Sequence, residues 1–237
     1  SGTGIQRMDD MTPTVWEEAD GAGIAAGITK VKGTSAGATI ELTPDMTPDG
    51  LVARFAYSAD ADGSSSTSDK GTGGDSGVLG SGWDLTLTAT SELHGVDGLT
   101  IYGGLSEVDQ YQNAAANTGD SAERVLGIKY AMGGFTVGYQ LSREDLGTNT
   151  AAMEYDNAGY GITFNVNDDL SIGYNNFESD QSNSGGDVTA EAASFQIAYT
   201  MGGMSIRVAQ ASIDNAKYQT TTTYQRDART VSVSLAF

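Results

Sequence analysis

The sequence predicts an all-β fold, an antiparallel up-and-down transmembrane β-barrel with eleven or twelve strands in these 237 residues. Three observations predict it. Apolar residues recur at every second position in short stretches, while helical periodicity is weak. Tight turns alternate with long polar connections, as in a meander with one plain and one decorated end. Charge is thin along the alternating stretches and dense between them.

The strands are read in order as GATIELT (37–43), LVARFAYS (51–58), WDLTLTATSEL (83–93), LTIYGGLS (99–106), RVLGIKYAM (124–132) and FTVGYQLS (135–142). NAGYGITFNV (157–166), LSIGYNNF (170–177), AASFQIAYTM (192–201), MSIRVAQAS (204–212) and ARTVSVSLAF (228–237) complete eleven. GIAAGITKVK (23–32) is a weaker twelfth. TPDG, HGVDG, NDD and two copies of MGG are the tight connections, and their Gly, Asn and Asp supply the positive φ that hairpin turns need. The segments 59–82, 108–123, 143–156, 178–191 and 213–227 are the long ones.

Each strand has a greasy face and a polar face. Trp83, Leu85 and Leu87 oppose Asp84, Thr86 and Thr88; Phe135, Val137, Tyr139 and Leu141 oppose Thr136, Gly138, Gln140 and Ser142; Val231, Val233 and Leu235 oppose Thr230, Ser232 and Ser234. A soluble sandwich would alternate too, with its greasy faces meeting inside. The small stock of large apolar residues, with 6 Phe and 2 Trp, suits a band facing hydrocarbon better than a single large core. The polar face then lines a water-filled lumen. Tyr130 and Tyr199, near the MGG turns on the greasy face, fit an interfacial aromatic belt.

Composition excludes several classes. A net charge of −19 disfavours nucleic acid as a partner, because phosphate is repelled. With no cysteine there are no disulfides or thiolate metal sites. His94 is the single histidine, and it falls in the HGVDG turn, so His-based catalysis is not expected. GxSxG and HExxH motifs are absent, GDSG at 74–77 has no histidine to serve it, and the expectation is a non-enzyme. No stretch is long and apolar enough for a transmembrane helix, which leaves a spanning β-strand open. SGTGIQRMDD has no signal-peptide character, so a signal was removed or the chain begins within a longer protein.

The hairpin pattern, the Gly-rich turns and above all the ending TVSVSLAF resemble the general diffusion porins of the Gram-negative outer membrane, alphaproteobacterial ones most. The likeness covers roughly residues 37–237. It implies Phe237 as part of an outer-membrane assembly signal and a barrel of about sixteen strands. It also implies a homotrimer, contact with outer-membrane lipid and lipopolysaccharide, and small hydrophilic solutes as cargo. Counting back from Phe237 makes 37–43 the sixth strand, and residues 1–36 then correspond to the loop that narrows the lumen. On that count the chain is a C-terminal portion of a larger protein. If 23–32 is a strand, twelve strands could instead close a smaller barrel.

An eyelet of this kind sets opposite charges across the lumen. Its acidic side is expected from Asp9, Asp10, Glu17, Glu18 and Asp20, which otherwise form a solvated acidic loop. Its basic side is expected from Arg54, Lys129, Arg207 and Arg226, which parity puts on the lumen face; otherwise they pair with carboxylates such as Glu41 or Glu92. Arg229 falls on the lipid-facing parity and should lie near a rim. Thr86, Thr88, Thr136, Gln140, Asn165, Asn175, Gln196 and Ser205 are expected to wet the lumen. Tyr102 alone does not make the aromatic ladder of a sugar channel. No cofactor is expected, although clustered carboxylates in the long connections could hold Ca²⁺ or Mg²⁺. The function read from the sequence is a passive channel with a mild cation preference. The alternative is a secreted or surface-attached adhesive or structural all-β protein.

Overall fold

The computed structural model describes residues 2–21, 23–34, 38–61, 79–110, 117–149 and 152–236. Eleven strands form one sheet in strict chain order. They are β1 (Thr39–Leu42), β2 (Leu51–Ser58), β3 (Leu79–Ala89), β4 (Leu99–Gln110), β5 (Ser121–Met132), β6 (Phe135–Asp145), β7 (Ala152–Asn165), β8 (Leu170–Asn183), β9 (Val188–Met201), β10 (Met204–Asp214) and β11 (Arg226–Leu235). Every neighbouring pair is antiparallel, so the fold is the expected up-and-down meander. Among the described residues β1 pairs only with β2 and β11 only with β10, and the sheet is open.

The short turns fall where Gly, Asn and Asp put them. Gly133 and Gly202, in the two MGG turns, have φ of 59° and 58°, a left-handed region that other residues rarely adopt. At the other end the strands outrun their sequence-read limits. Residues 143–145, 152–156, 178–183 and 188–191 continue the ladders. Their charges alternate with inward Tyr, Ser and Asn, and Arg143 ties two strands together through Glu154 and Asp156.

Two sequence readings are corrected. The strand read to residue 93 ends at Ala89, and Ser91–His94 form a single helical turn, α1, stopped by Gly95 at φ 77°. Glu92 therefore lies off the sheet. Residues 23–32 form no strand. Gly23, Ala25 and Gly27 all have positive φ (100°, 49° and 64°), which breaks the extended path although Ile24, Ala26 and Val31 are buried. The DADG stretch beyond residue 61, the first part of GDSGVLGSG and the terminal Phe237 lie outside the described residues.

Burial is inverted relative to a water-soluble sheet. On one face, polar side chains are buried: Asp84, Ser194 and Gln196 are 0–1% exposed. On the opposite, outer face, apolar side chains stand free: Leu126 is 61% exposed and Val231 60%. Phe135 stacks on Phe164 there, with centroids 4.1 Å apart. The sheet is single, so these residues do not meet across a dry sandwich. What covers the polar face is residues 2–21 and 23–34, a strap that packs Ile5, Met8 and Val31 against Tyr102 and Val125. Further along it packs Ala19, Ile24 and Ala26 against Phe177, Ala192, Ala211 and Ile213.

Candidate functional site

The strap begins with a 3₁₀ turn at Gly4–Met8 and is pinned at both ends of the sheet. Gly4 N–H donates to Glu41 Oε2 on β1 (2.8 Å), and Arg7 adds two bonds to the same carboxylate (2.6 and 2.8 Å). On β11, the Arg226 guanidinium donates to the carbonyls of Ile24 and Ala25 (3.2 and 3.0 Å). Between them, wall side chains satisfy the strap's backbone. Asp84 accepts from Ile5 N–H (3.2 Å) and from the Thr34 hydroxyl (3.0 Å). Gln140 accepts from Met11 N–H (3.0 Å) and donates to the carbonyls of Met8 and Asp9 (both 3.0 Å). Gln196 accepts from Val15 and Trp16 N–H (3.1 and 2.9 Å) and donates to the Glu17 carbonyl. Glu123 accepts from Lys32 and Gly33 N–H (both 2.8 Å). A segment without ladder bonds thus avoids leaving buried backbone groups unpaired.

This arrangement changes the roles read from parity. Gln140, Gln196, Asn175 and Thr86 face inward as expected but are buried beneath the strap (each at most 1% exposed). Gln140 and Gln196 anchor it, and Asn175 accepts from Gln196 Nε2 (2.9 Å); none of the four wets a lumen. Tyr102 is likewise buried, donating to Gln140 Oε1 (2.9 Å). Gly138 and Gly161 are cross-strand partners, and both lie under Pro13. A Cβ on Gly138 would come within 2.5 Å of the Pro13 ring, and one on Gly161 would overlap the Pro13 backbone. Absent side chains here let the strap lie flat on the wall.

The five acidic strap residues are brought together only in part. Asp10, Glu18 and Asp20 converge within 4.8 Å, and the Lys30 ammonium lies among them at 3.5, 3.1 and 2.9 Å. The Lys30 side chain is 11% exposed, and its nitrogen sits 4.8 Å above the Phe177 ring. Burial alone would lower its pKa. Asp20, Asp10 and Glu18 outweigh that and raise it above the ordinary lysine value. Burial pushes Asp9 and Glu18 up from the usual carboxylate range. Glu17 contributes its carbonyl to Gln196. Lys30 fills the place a metal ion would take, yet three carboxylates against one ammonium leave the cluster net negative.

The wall cations are also sorted. Arg54 lies opposite Thr86 and Asp84 opposite Ala56. Lys129 lies opposite Gly138 and Gln140 opposite Gly127. Arg207 lies opposite Ala198 and Gln196 opposite Ala209. In each case the cation is two residues nearer the short turns than a strap anchor, one inward-facing rung of about 7 Å. Arg54, Lys129 and Arg207 therefore each lie one rung on the short-turn side of a strap anchor. Arg54 Nε is 3.9 Å from Glu41; among the described residues Lys129 and Arg207 have no ion-pair partner. Arg226 belongs elsewhere, holding the strap near the long connections. Arg229 is on the outer face beside that rim, donating to Gln210 Oε1 (3.0 Å).

Sequence reasoning missed Lys30, hidden in a stretch that alternates like a strand. It also missed Glu41, Asp84, Glu123 and Glu144 as strap anchors. Their signal was parity: each sits on the polar side of its strand. Glu144 forms an ion pair with Lys32 Nζ (3.1 Å).

The fold is matched among solved structures. The chain superposes on outer-membrane expressed OmpT of Vibrio cholerae with a TM-score of 0.63 at 12% identity, covering 99% of this chain and 74% of that one. Salmonella typhi OmpF, solved with daunomycin, gives 0.64 at 13% identity over 97% and 69%. The anion-selective porin of Comamonas acidovorans gives 0.63 at 14% over 90% and 64%. The fold is porin-like. No family model matches the sequence, and no curated protein does. At these identities the likeness concerns the fold alone, and the residues must say what the site does.

Proposed function

We propose that the chain forms the wall and constriction of a passive channel in a Gram-negative outer membrane, a general diffusion porin of the alphaproteobacterial type. Small hydrophilic solutes and ions are its cargo. One observation carries this reading. A net-acidic strap is pinned across the polar face beside the wall cations Arg54, Lys129 and Arg207, the last two without an ion-pair partner among the described residues, while the other face is apolar and exposed. Outward Leu126 and Val231 meet hydrocarbon; the strap narrows the water-filled side. Selection is by size and by the field between the strap carboxylates and Arg54, Lys129 and Arg207. The chain has no covalent role in this reading and is not an enzyme.

The carboxylates raise the local concentration of cations, and Lys30 with the wall cations keeps the preference mild. Free backbone edges cannot stand in hydrocarbon, so further strands pair with β1 and β11 to close the wall, in a larger barrel that assembles as a homotrimer. Divalent cations at the acidic outer connections belong to the same reading. The secreted-sandwich alternative is not favoured, because one open sheet with a bare apolar face has no second layer to cover it.

The test is conductance of the full-length protein in planar bilayers under a KCl gradient. We expect open-channel currents and a reversal potential on the cation side. No conductance, or clear anion preference, would overturn the proposal.

A further inference from the structure

The second half of the strap meets an element that narrowing the lumen does not call for. Residues 215–225 connect β10 to β11, and part of that connection reaches back onto the strap. Lys217 N–H donates to the Ala26 carbonyl (2.7 Å). The Tyr218 hydroxyl accepts from Thr29 N–H (2.9 Å) and shares a second hydrogen bond with Ser179 on β8 (2.8 Å). The Tyr218 side chain is buried, with its ring 5.2 Å from that of Tyr155. Asn215 fastens the connection to the wall through the Thr189 carbonyl (2.8 Å). One hydroxyl thus joins strap, wall and connection.

The backbone at this contact is strained. Among the described residues, the non-glycine residues with positive φ are Ala25, Asn215, Lys217 and Tyr218, at 49°, 54°, 56° and 56°. All four lie here. A Cβ disfavours the left-handed region, least so for Asn, and such outliers persist only where surrounding contacts impose them. Hydrogen bonds and the burial of Ile24 and Ala26 therefore hold an arrangement that the backbone opposes. The earlier strap residues, held by Asp84, Gln140 and Gln196, carry no such non-glycine outlier. Asp20 and Lys30 flank the strained segment and are bonded at 2.9 Å, so residues 23–29 form a flap with a closed base.

Resting on the constriction reading above, we propose that the β10–β11 connection is a latch for this flap and that Tyr218 is its positioning residue. Latched, residues 23–29 hold their part of the constriction at a fixed width. Released, they yield to a passing solute, Lys217 and Tyr218 relax out of the left-handed region, and the anchors of residues 4–16 stay in place. A connection at the decorated end of the wall thereby sets how firmly the lumen is narrowed.

The test pairs hydrogen-exchange mass spectrometry of the full-length protein in detergent with recording in planar bilayers. Tyr218→Phe keeps the ring against Tyr155 and removes the hydroxyl. We expect amides in 23–29 to exchange about tenfold faster and current substates to be about tenfold more frequent, with exchange at residues 5–16 unchanged. Ala25→Gly relieves the backbone, keeps the carbonyl that Arg226 uses, and should slow both about threefold. A Cβ on Gly27 would stand 3.5 Å from Lys217 Cβ, within disulfide reach, and the chain has no cysteine of its own. Oxidation of Gly27→Cys with Lys217→Cys should therefore abolish the substates, and reduction should restore them. Tyr218→Phe that alters neither exchange nor substates would overturn the latch. So would an equal rise in exchange at 5–16 and 23–29, which would make Tyr218 a support of the whole strap. An exchange response confined to 23–29 in a protein that never conducts would sink the channel proposal and leave the latch standing.

Discussion

Lys30 is the residue on which the candidate constriction turns. Its ammonium holds Asp10, Glu18 and Asp20 together, and Asp10 is almost wholly buried. Lys30→Met keeps the stem over Phe177 and removes the charge, which leaves buried carboxylates to repel one another. Loss of one partner from such a cluster costs about 3 kcal/mol. We expect the strap to loosen, seen as faster proteolysis within residues 2–34 and as noisier open-channel current. Titration gives a second expectation. Asp9 and Glu18 bind protons more readily in the docked strap than as free carboxylates, because burial raises them. Acidification therefore favours docking while it removes negative charge, and both effects begin above the pH at which exposed carboxylates titrate. Lys30, held up by its three partners, stays charged throughout. Reversal potentials measured from neutral pH down to about 4 should fall toward zero on the acid side. A preference that strengthens on acidification would contradict the assignment.

The strap and the strands are written in the sequence with unequal clarity. Strands were legible because their signal is local: period-2 alternation ended by a glycine turn, as in IKYAMGGFTVGYQ. Their outer ends were less so, since Arg143, Glu154 and Asp156 look like loop residues until they pair across strands. Residues 23–32 misled for a physical reason. Ile24 and Ala26 do alternate between wall and open side, but positive φ at Gly23, Ala25 and Gly27 denies them a ladder. Lumen-facing Gln140 and Gln196 read as solvent-wetted because nothing local says that Met11 and Val15, more than a hundred residues away, will lie on them. The pair Gly138 and Gly161 was legible only as small residues on a polar face, and its use as a bed for Pro13 is long-range. That use is testable. Gly161→Val would push a side chain into the Pro13 backbone, and overpacking of this kind costs about 1–3 kcal/mol. The strap should lift while the sheet keeps its register. Liposome-swelling assays should then admit larger solutes than the parent does. Unchanged exclusion would mean that the strap does not set the limit.

At the scale of the whole molecule the decisive property is that the sheet is inside out. A soluble protein of this size hides its apolar residues, whereas here Ile128, Tyr139, Phe195 and Val233 are all more than a third exposed on one face. Buried Asp84, Glu144 and Gln196 occupy the other. Exposure of that kind is stable only if hydrocarbon replaces water on the apolar side. Ile128 and Thr136 separate the possibilities because they lie on neighbouring strands and face opposite ways. Ile128→Lys puts an ammonium into the apolar band and should cost about 2–4 kcal/mol if that band lies in lipid. The cost in water should be near zero, because the site is already exposed. Thr136→Lys puts the same charge on the polar face, one inward-facing rung from Lys129. There it should change stability by no more than about 0.5 kcal/mol and move the reversal potential toward anions. Unfolding by urea from lipid vesicles gives the first quantity and bilayer recording gives the second. Equal stability losses for the two variants would show that the faces do not differ in solvent, and the membrane orientation inferred from burial would then be wrong.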